Sequence, residues 1–299
     1  MLSLAARFAI STLAVILPVG WALSLDGYFL RPPYRVDPER ALAFAGQNDA
    51  SLDNVSLRAS DGVLLSGCLF TPHVSRGRAV LIVHGGVGDH QQMMSRASWL
   101  LERGYTCLLV DQRGGGASGG VVTWSVKEPG DLSSWARWLR DRTGVRAVFG
   151  YGTSRGSTTL VQSLASRPPF AALAVECVGD GNIGRPYQFL SERMGVSEHT
   201  ARMVMWPFIE PSFLWIRWRY GLNLKAVQDG VEAMRGSEVP VLIFSGTADR
   251  TSPLVGAERL RAANPRHAEL VVVRGADHDW FLHDQPQVMQ RVLPWFDAH

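Results

Sequence analysis

Short runs that are apolar on both faces alternate with longer amphipathic stretches along most of the chain. The apolar runs predict strands at 79–84 (Ala-Val-Leu-Ile-Val-His), 106–110, 146–150, 171–177, 240–245 and 268–273. Between them the helical period predicts helices at 90–103, 131–142, 155–166, 254–263 and 285–297. Strands buried on both sides and separated by helices point to an α/β fold, with a mostly parallel sheet and helices on both faces. Ahead of this rhythm, two alternating runs between Val55 and Phe70 flank Asp61-Gly62, which predicts a hairpin at an antiparallel edge.

Two segments break the rhythm. Residues from about 180 to 236 carry Trp206, Phe208, Phe213, Trp215 and Trp218, with Pro186, Pro207 and Pro211 as expected breaks. An insertion this long between core strands predicts a helical cap over a site. The other break is N-terminal. From Phe8 to Leu25 the chain is nearly all apolar, and as a helix of about 18 residues it would span roughly 27 Å. A cleaved signal segment, an uncleaved membrane anchor flanked by Trp21, Tyr28 and Phe29, and a buried helix are the three readings. Arg31, Arg35 and Arg40 follow this segment and only Arg7 precedes it, so charge asymmetry and the signal-like opening disagree on orientation. The expected division is 1–30 as anchor or signal, 31–50 as linker, and 51–299 as one domain carrying the cap. The protein is then membrane-anchored, its N-terminal segment associating with membrane, or exported after cleavage of that segment.

Composition narrows the chemistry. Of 299 residues 46% are hydrophobic and 19% charged, enough for one sizeable core. The net charge of +3 is spread out, lysine occurs only at 127 and 225, and no basic run interleaves with aromatics. A nucleic-acid partner is therefore set aside. Cys68, Cys107 and Cys177 sit in strand-like runs and read as buried, unpaired and unreactive. No spacing suits a metal, so neither metal nor organic cofactor is expected.

Gly-x-Ser-x-Gly occurs twice, at Gly152-Thr-Ser154-Arg-Gly156 and at Gly116-Ala-Ser118-Gly-Gly120. A nucleophile elbow needs a strand leading directly into a tight turn and a helix. Ser154 has both flanks; Ser118 is followed by Gly-Gly-Val-Val-Thr and no helix. Ser154 is the expected nucleophile. A serine hydroxyl needs a base, and His278 follows the last strand at the carboxyl edge that Ser154 shares. The acid should lie between them in sequence, and Asp249 follows the strand at 240–245; Glu176, Asp180 and Asp277 are its competitors. His84-Gly85-Gly86-Val87 after the first parallel strand offers backbone donors for an oxyanion. Gly86 and Val87 stay alternatives there, with the Arg155 N–H as the second donor.

His84-Gly-Gly, Asp111-Gln-Arg-Gly, Gly152-x-Ser154-x-Gly156, Asp249 and His278 together resemble the α/β-hydrolase superfamily from about residue 52 to the C-terminus. Within it the chain resembles the lipid-tethered or membrane-anchored hydrolases related to the prolyl-oligopeptidase and dienelactone-hydrolase branches. The resemblance implies an eight-stranded sheet and assigns Asp111-Gln-Arg-Gly to a structural loop after the fourth strand. Arg155 departs from the small or apolar residue usual after the serine, and is expected to bias the pocket toward an anionic group.

The expected activity is hydrolysis of carboxylic esters with an apolar acyl group through an acyl-enzyme. If the anchor holds the protein at a bilayer, the acyl group is lipid-like. A peptidase or amidase, and a silent binding protein on the same fold, are the alternatives.

Overall fold

The computed structural model describes residues 16–24, 36–86, 88–180, 185–283 and 285–299. Its centre is an eight-stranded sheet, β1 (Ala50–Arg58), β2 (Leu64–Pro72), β3 (Arg78–Val83), β4 (Thr106–Val110), β5 (Ala147–Thr153), β6 (Phe170–Glu176), β7 (Val241–Gly246) and β8 (Ala268–Val273), in the order β1-β2-β4-β3-β5-β6-β7-β8. β2 runs antiparallel to both its neighbours, and every pair from β4 to β8 is parallel. The expected hairpin closes at Asp61-Gly62, with the Ala59 N–H donating to Val63 C=O at 2.8 Å.

Alternation along β3 shows why the strands read as apolar on both faces. Val80 and Ile82 belong to one core with Phe70, Leu109 and Phe149. Ala79, Leu81 and Val83 belong to the other, with Leu108, Val110 and Val148. The first core is closed by α1 (Pro38–Gln47), α2 (Met94–Leu101) and, later in the chain, α9 (Pro286–Ala298). The second lies under α3 (Glu128–Thr143), α4 (Arg155–Ser163), α7 (Gly230–Arg235) and α8 (Leu254–Ala263).

α1 corrects the linker expected at 31–50. Asp37 caps it by accepting from the Glu39 N–H, a proline stands in its first turn, and Phe44 packs edge-on against Phe70 with ring centroids 5.1 Å apart. Residues 38–47 are thus part of the first core, their apolar positions too few to stand out in the sequence.

The insertion forms α5 (Pro186–Met194), α6 (Glu198–Tyr220) and α7. Pro207 and Pro211, expected as breaks, both lie inside α6. Each removes only one helical donor, at points where the helix side is half-exposed, so water can serve the carbonyls released. Ile216, Leu222 and Leu224 form a small core of the cap, against which Phe213, Trp215 and, from the loop before α3, Val121 and Trp124 pack. The N-terminal segment is helical at 16–24, with the Trp21 ring edge-on to Phe208 of α6 at 6.2 Å. Residues 1–15 and 25–30 of the expected anchor, and 31–35 of the expected linker, lie outside the described residues. Among the described residues no helix is long and apolar enough to cross a membrane.

Candidate active site

The carboxyl ends of β3, β5, β7 and β8 carry the residues singled out in the sequence. β5 runs into Ser154, which has φ 50° and ψ −119°, and α4 begins at the next residue. That conformation is costly for a residue with a Cβ. It is held by the Ser154 N–H donating to Glu176 C=O at 2.9 Å and by Ser154 C=O accepting from the Thr158 N–H at 3.0 Å. Gly156 makes the turn possible: a Cβ there would sit 2.5 Å from the carbonyl oxygens of Val83 and His84.

Ser154 Oγ lies 2.9 Å from His278 Nε2, and His278 Nδ1 lies 2.9 Å from Asp249 Oδ2. The other oxygen of Asp249 accepts from the N–H groups of Thr251 and Ser252, both at 2.8 Å. The carboxylate is fully buried and the imidazole is 17% exposed. Asp249 thereby fixes the tautomer that leaves Nε2 facing the hydroxyl.

The two loops meet because Gly246, at the end of β7, lets backbone approach backbone. A Cβ at Gly246 would run into the Ala276 carbonyl. The Ala248 N–H donates to that same carbonyl at 3.0 Å, and the Thr247 N–H to Val273 C=O at 3.1 Å. Nothing in the sequence pattern singles out Gly246 for this role.

The competitors are engaged elsewhere. Glu176 is buried against Arg96, with Nη2–Oε2 at 3.2 Å, and accepts from the Tyr151 hydroxyl. Asp180 pairs with Arg259 at 2.8 Å, and Asp277 accepts from the Trp280 N–H at 2.9 Å. Ser118 ties the loop after β4 to the sheet edge, donating to Asp111 C=O at 2.6 Å and accepting from the Ser66 N–H at 2.8 Å.

The loop after β3 is braced through His84. Its Nε2 accepts from the Gln112 N–H at 3.1 Å, which places the proton on Nδ1, 2.8 Å from Gly85 C=O. Burial, and then the charge of Arg155, push His84 down to about 4, so the ring is neutral. Gly85 faces Ser154, a Cβ there falling 3.4 Å from Ser154 Cβ; Gly86 is exposed, and Val87 lies outside the described residues. Arg155 is the first residue of α4, whose N–H has no acceptor within the helix.

The Arg155 side chain corrects the expectation of an anion-biased pocket. The guanidinium is buried, 3.7 Å from Glu128 Oε1 and over the Trp124 ring at 5.9 Å from its centroid, so it faces a carboxylate inside the protein, with Nε and Nη1 making no hydrogen bond. Glu128 in turn accepts from the N–H groups of Thr123 at 2.7 Å and Ser125 at 2.9 Å. This link between the elbow and the loop under the cap had no signal in the sequence.

A cavity of about 240 Å³ opens beside the elbow, lined by Gln92, Met93, Arg96, Thr153 and Phe281. Among the described residues one group of possible metal ligands converges, Cys177, Asp249 and His278, within 4.8 Å of one another. A metal there would have to displace the Asp249–His278 hydrogen bond. It would also have to deprotonate a thiol that burial raises well above its ordinary range.

The sequence matches the X-Pro dipeptidyl-peptidase (S15) family over residues 31–189, just over half of the chain. The chain belongs to this family of α/β hydrolases. A second match, over residues 217–297 of the hydrolase, is to the TAP-like proteins. An uncharacterized protein of Salmonella typhimurium, YfhR, is 26% identical, with 78% of this chain and 76% of YfhR covered. The esterase Pf2001 of Pyrococcus furiosus shares the fold at TM-score 0.66 and 20% identity, covering 91% of this hydrolase and 99% of Pf2001. Est1E of Butyrivibrio proteoclasticus, solved with ferulic acid bound, aligns at TM-score 0.61 and 17% identity, covering 82% and 98% of the two chains. Eight strands, one of them reversed, with helices on both faces and a helical insertion are thus the α/β-hydrolase fold.

Proposed function

We propose that this chain is a serine hydrolase acting on carboxylic esters through an acyl-enzyme, with Ser154 as nucleophile, His278 as base and Asp249 as the orienting acid. The observation that carries the reading is the continuous relay from Ser154 Oγ to His278 to a buried Asp249, set on a strained elbow. Ser154 Oγ attacks the ester carbonyl carbon while His278 Nε2 takes its proton; the imidazolium then protonates the departing alkoxide. Water, deprotonated by the same nitrogen, attacks the acyl carbon; the bond to Ser154 Oγ breaks, the imidazolium returns the proton to that oxygen, and the acid leaves. The Arg155 N–H and an N–H of Gly86 or Val87 receive the oxyanion, each donor being worth about 3–4 kcal/mol in such sites.

Met93 and Phe281 give the cavity beside the elbow apolar walls, and Arg96 within it is neutralised by Glu176. That supports an apolar acyl group, of a size that about 240 Å³ can hold. A second reading, cleavage of an amide, is favoured by the peptidase name of the matched family. Localisation belongs to the same proposal: association with membrane through the N-terminal segment kept as an anchor, or export after that segment is cleaved.

Fluorophosphonate labelling of the full chain, read by peptide mass spectrometry, tests the nucleophile. Modification on Ser154 that disappears in Ser154→Ala is expected; a folded protein that takes no label would leave only the silent binding protein. Faster release from aminoacyl-prolyl naphthylamides than from p-nitrophenyl esters would replace the esterase by the peptidase.

A further inference from the structure

The cap helix α6 turns an apolar face outward. Met203, Pro207, Pro211, Leu214 and Trp218 fall along one stripe at 100° per residue. Met203 and Leu214 are each 69% exposed and Trp218 is 73% exposed, on a helix of 23 residues. The opposite side of the same helix is already used: Ser212 and Ile216 are buried. Beside the stripe, about 100° around from Pro207, Phe208 meets Trp21, and the segment 16–24 adds Ile16, Leu17, Val19 and Leu23, all about half-exposed. Two exposed apolar surfaces therefore adjoin, which is more than scattered surface residues would give.

We propose that the outer stripe of α6, together with the N-terminal segment packed against it, seats this protein on the surface of a lipid bilayer. Three observations favour lipid over a second protein surface. The run from Phe8 to Leu25, which reaches α6 through Trp21, contains no charged residue. Exposed Arg217 and Arg219 bracket Trp218, and exposed Arg202 adjoins Met203. An indole between two arginines suits the headgroup level, the ring at the apolar boundary and the guanidinium groups on lipid phosphates. On the acidic side, Glu210 is taken by Lys225 at 2.8 Å and Tyr187 at 3.0 Å, leaving Glu198 in the first turn. Finally, Pro207 and Pro211 deprive the carbonyls of Met203 and Pro207 of their helical donors on this side. The hydrated headgroup layer supplies donors to such carbonyls, whereas a dry protein interface does not.

The test uses the full chain with Leu214→Cys carrying an environment-sensitive NBD fluorophore, the native cysteines being buried. Val74→Cys serves as control, 82% exposed in the turn between β2 and β3 at the opposite edge of the sheet. On adding phosphatidylcholine vesicles with phosphatidylglycerol, a blue shift is expected at 214 and none at 74, weaker when phosphatidylglycerol is omitted. Met203→Glu with Trp218→Glu should weaken vesicle binding about tenfold or more, with fluorophosphonate labelling in vesicle-free buffer unchanged. Vesicle pelleting without a shift at 214 would assign binding to the N-terminal segment alone and overturn the proposal, as would no pelleting. A shift that grows with protein concentration and needs no vesicles would put a second copy on the stripe and overturn it too. Failure of the unaltered chain to take the label would count against the hydrolase reading instead.

Discussion

At the level of single residues, the site depends on a few side chains whose neighbours restrict them to one state. Asp249 has three hydrogen bonds on two oxygens, so it cannot rotate away from His278 without abandoning two backbone donors. Ser154→Ala or His278→Ala should lower kcat by on the order of 10⁶, and Asp249→Asn by about 10⁴, measured as ester turnover after confirming the fold by circular dichroism. Near-normal turnover in Asp249→Asn would return the acid role to another carboxylate. Arg155 and Glu128 form a buried pair of opposite charge 3.7 Å apart. Arg155→Met should cost about 3–5 kcal/mol in urea unfolding because Glu128 stays charged and unmatched, and adding Glu128→Gln should restore a large part of that. Equal destabilisation in the double variant would mean the pair is not what holds this region.

Elements place those residues. The turn after β5 and the loops after β7 and β8 come from strand ends on one edge of the sheet, so a serine and a histidine 124 residues apart in sequence meet within hydrogen-bond distance. The step that the sheet alone does not guarantee is the docking of the loop after β8 onto that after β7. Gly246→Ala tests it. A methyl group against the Ala276 carbonyl should push the His278 loop outward, with about 1–3 kcal/mol of lost stability and a disproportionate loss of turnover. Unchanged kcat in the Gly246→Ala enzyme would show that the loop is positioned some other way. The cap lies at the other extreme of legibility. Its aromatic content was visible, yet its prolines read as breaks where the helix runs through them. Local propensity gave way there because the inner side of α6 is held by Ala201, Ser212 and Ile216 in the cap.

For the molecule as a whole, two buried histidines pull stability in opposite directions with pH. His84 is pushed down to about 4 by burial and by Arg155, against an ordinary 6.5. Between those values the unfolded chain holds a proton that the folded one refuses, so stability falls as pH drops from about 6.5 to 4, by on the order of 3 kcal/mol. Burial also lowers His90, but its hydrogen bonds to Asp111 at 2.9 Å and to Cys68 at 3.4 Å outweigh this and hold it at about 10. Here the folded chain keeps a proton that the unfolded one loses above 6.5, so stability present at lower pH is lost as pH rises toward 10. Urea midpoints measured across this range should peak near pH 6.5. His84→Asn should flatten the acid limb and His90→Asn the alkaline limb; limbs unaffected by these changes would place the titrating groups elsewhere.

Legible along the chain alone were the alternation of strands and helices, the hairpin edge, the elbow around Ser154, and the loops that bear Asp249 and His278. Those follow from local rules: side-chain period, turn chemistry, and the need for glycine where the chain doubles back. Packing in three dimensions was needed to bring α1 into the core through Phe44, to turn Arg155 toward Glu128 and Trp124, and to seat the loop of His278 on Gly246. It also carries α6 past two prolines with an apolar stripe facing outward. Each of these depends on a close approach between segments far apart along the chain, and such distances are set by how the whole sheet and its loops pack, which no local pattern encodes.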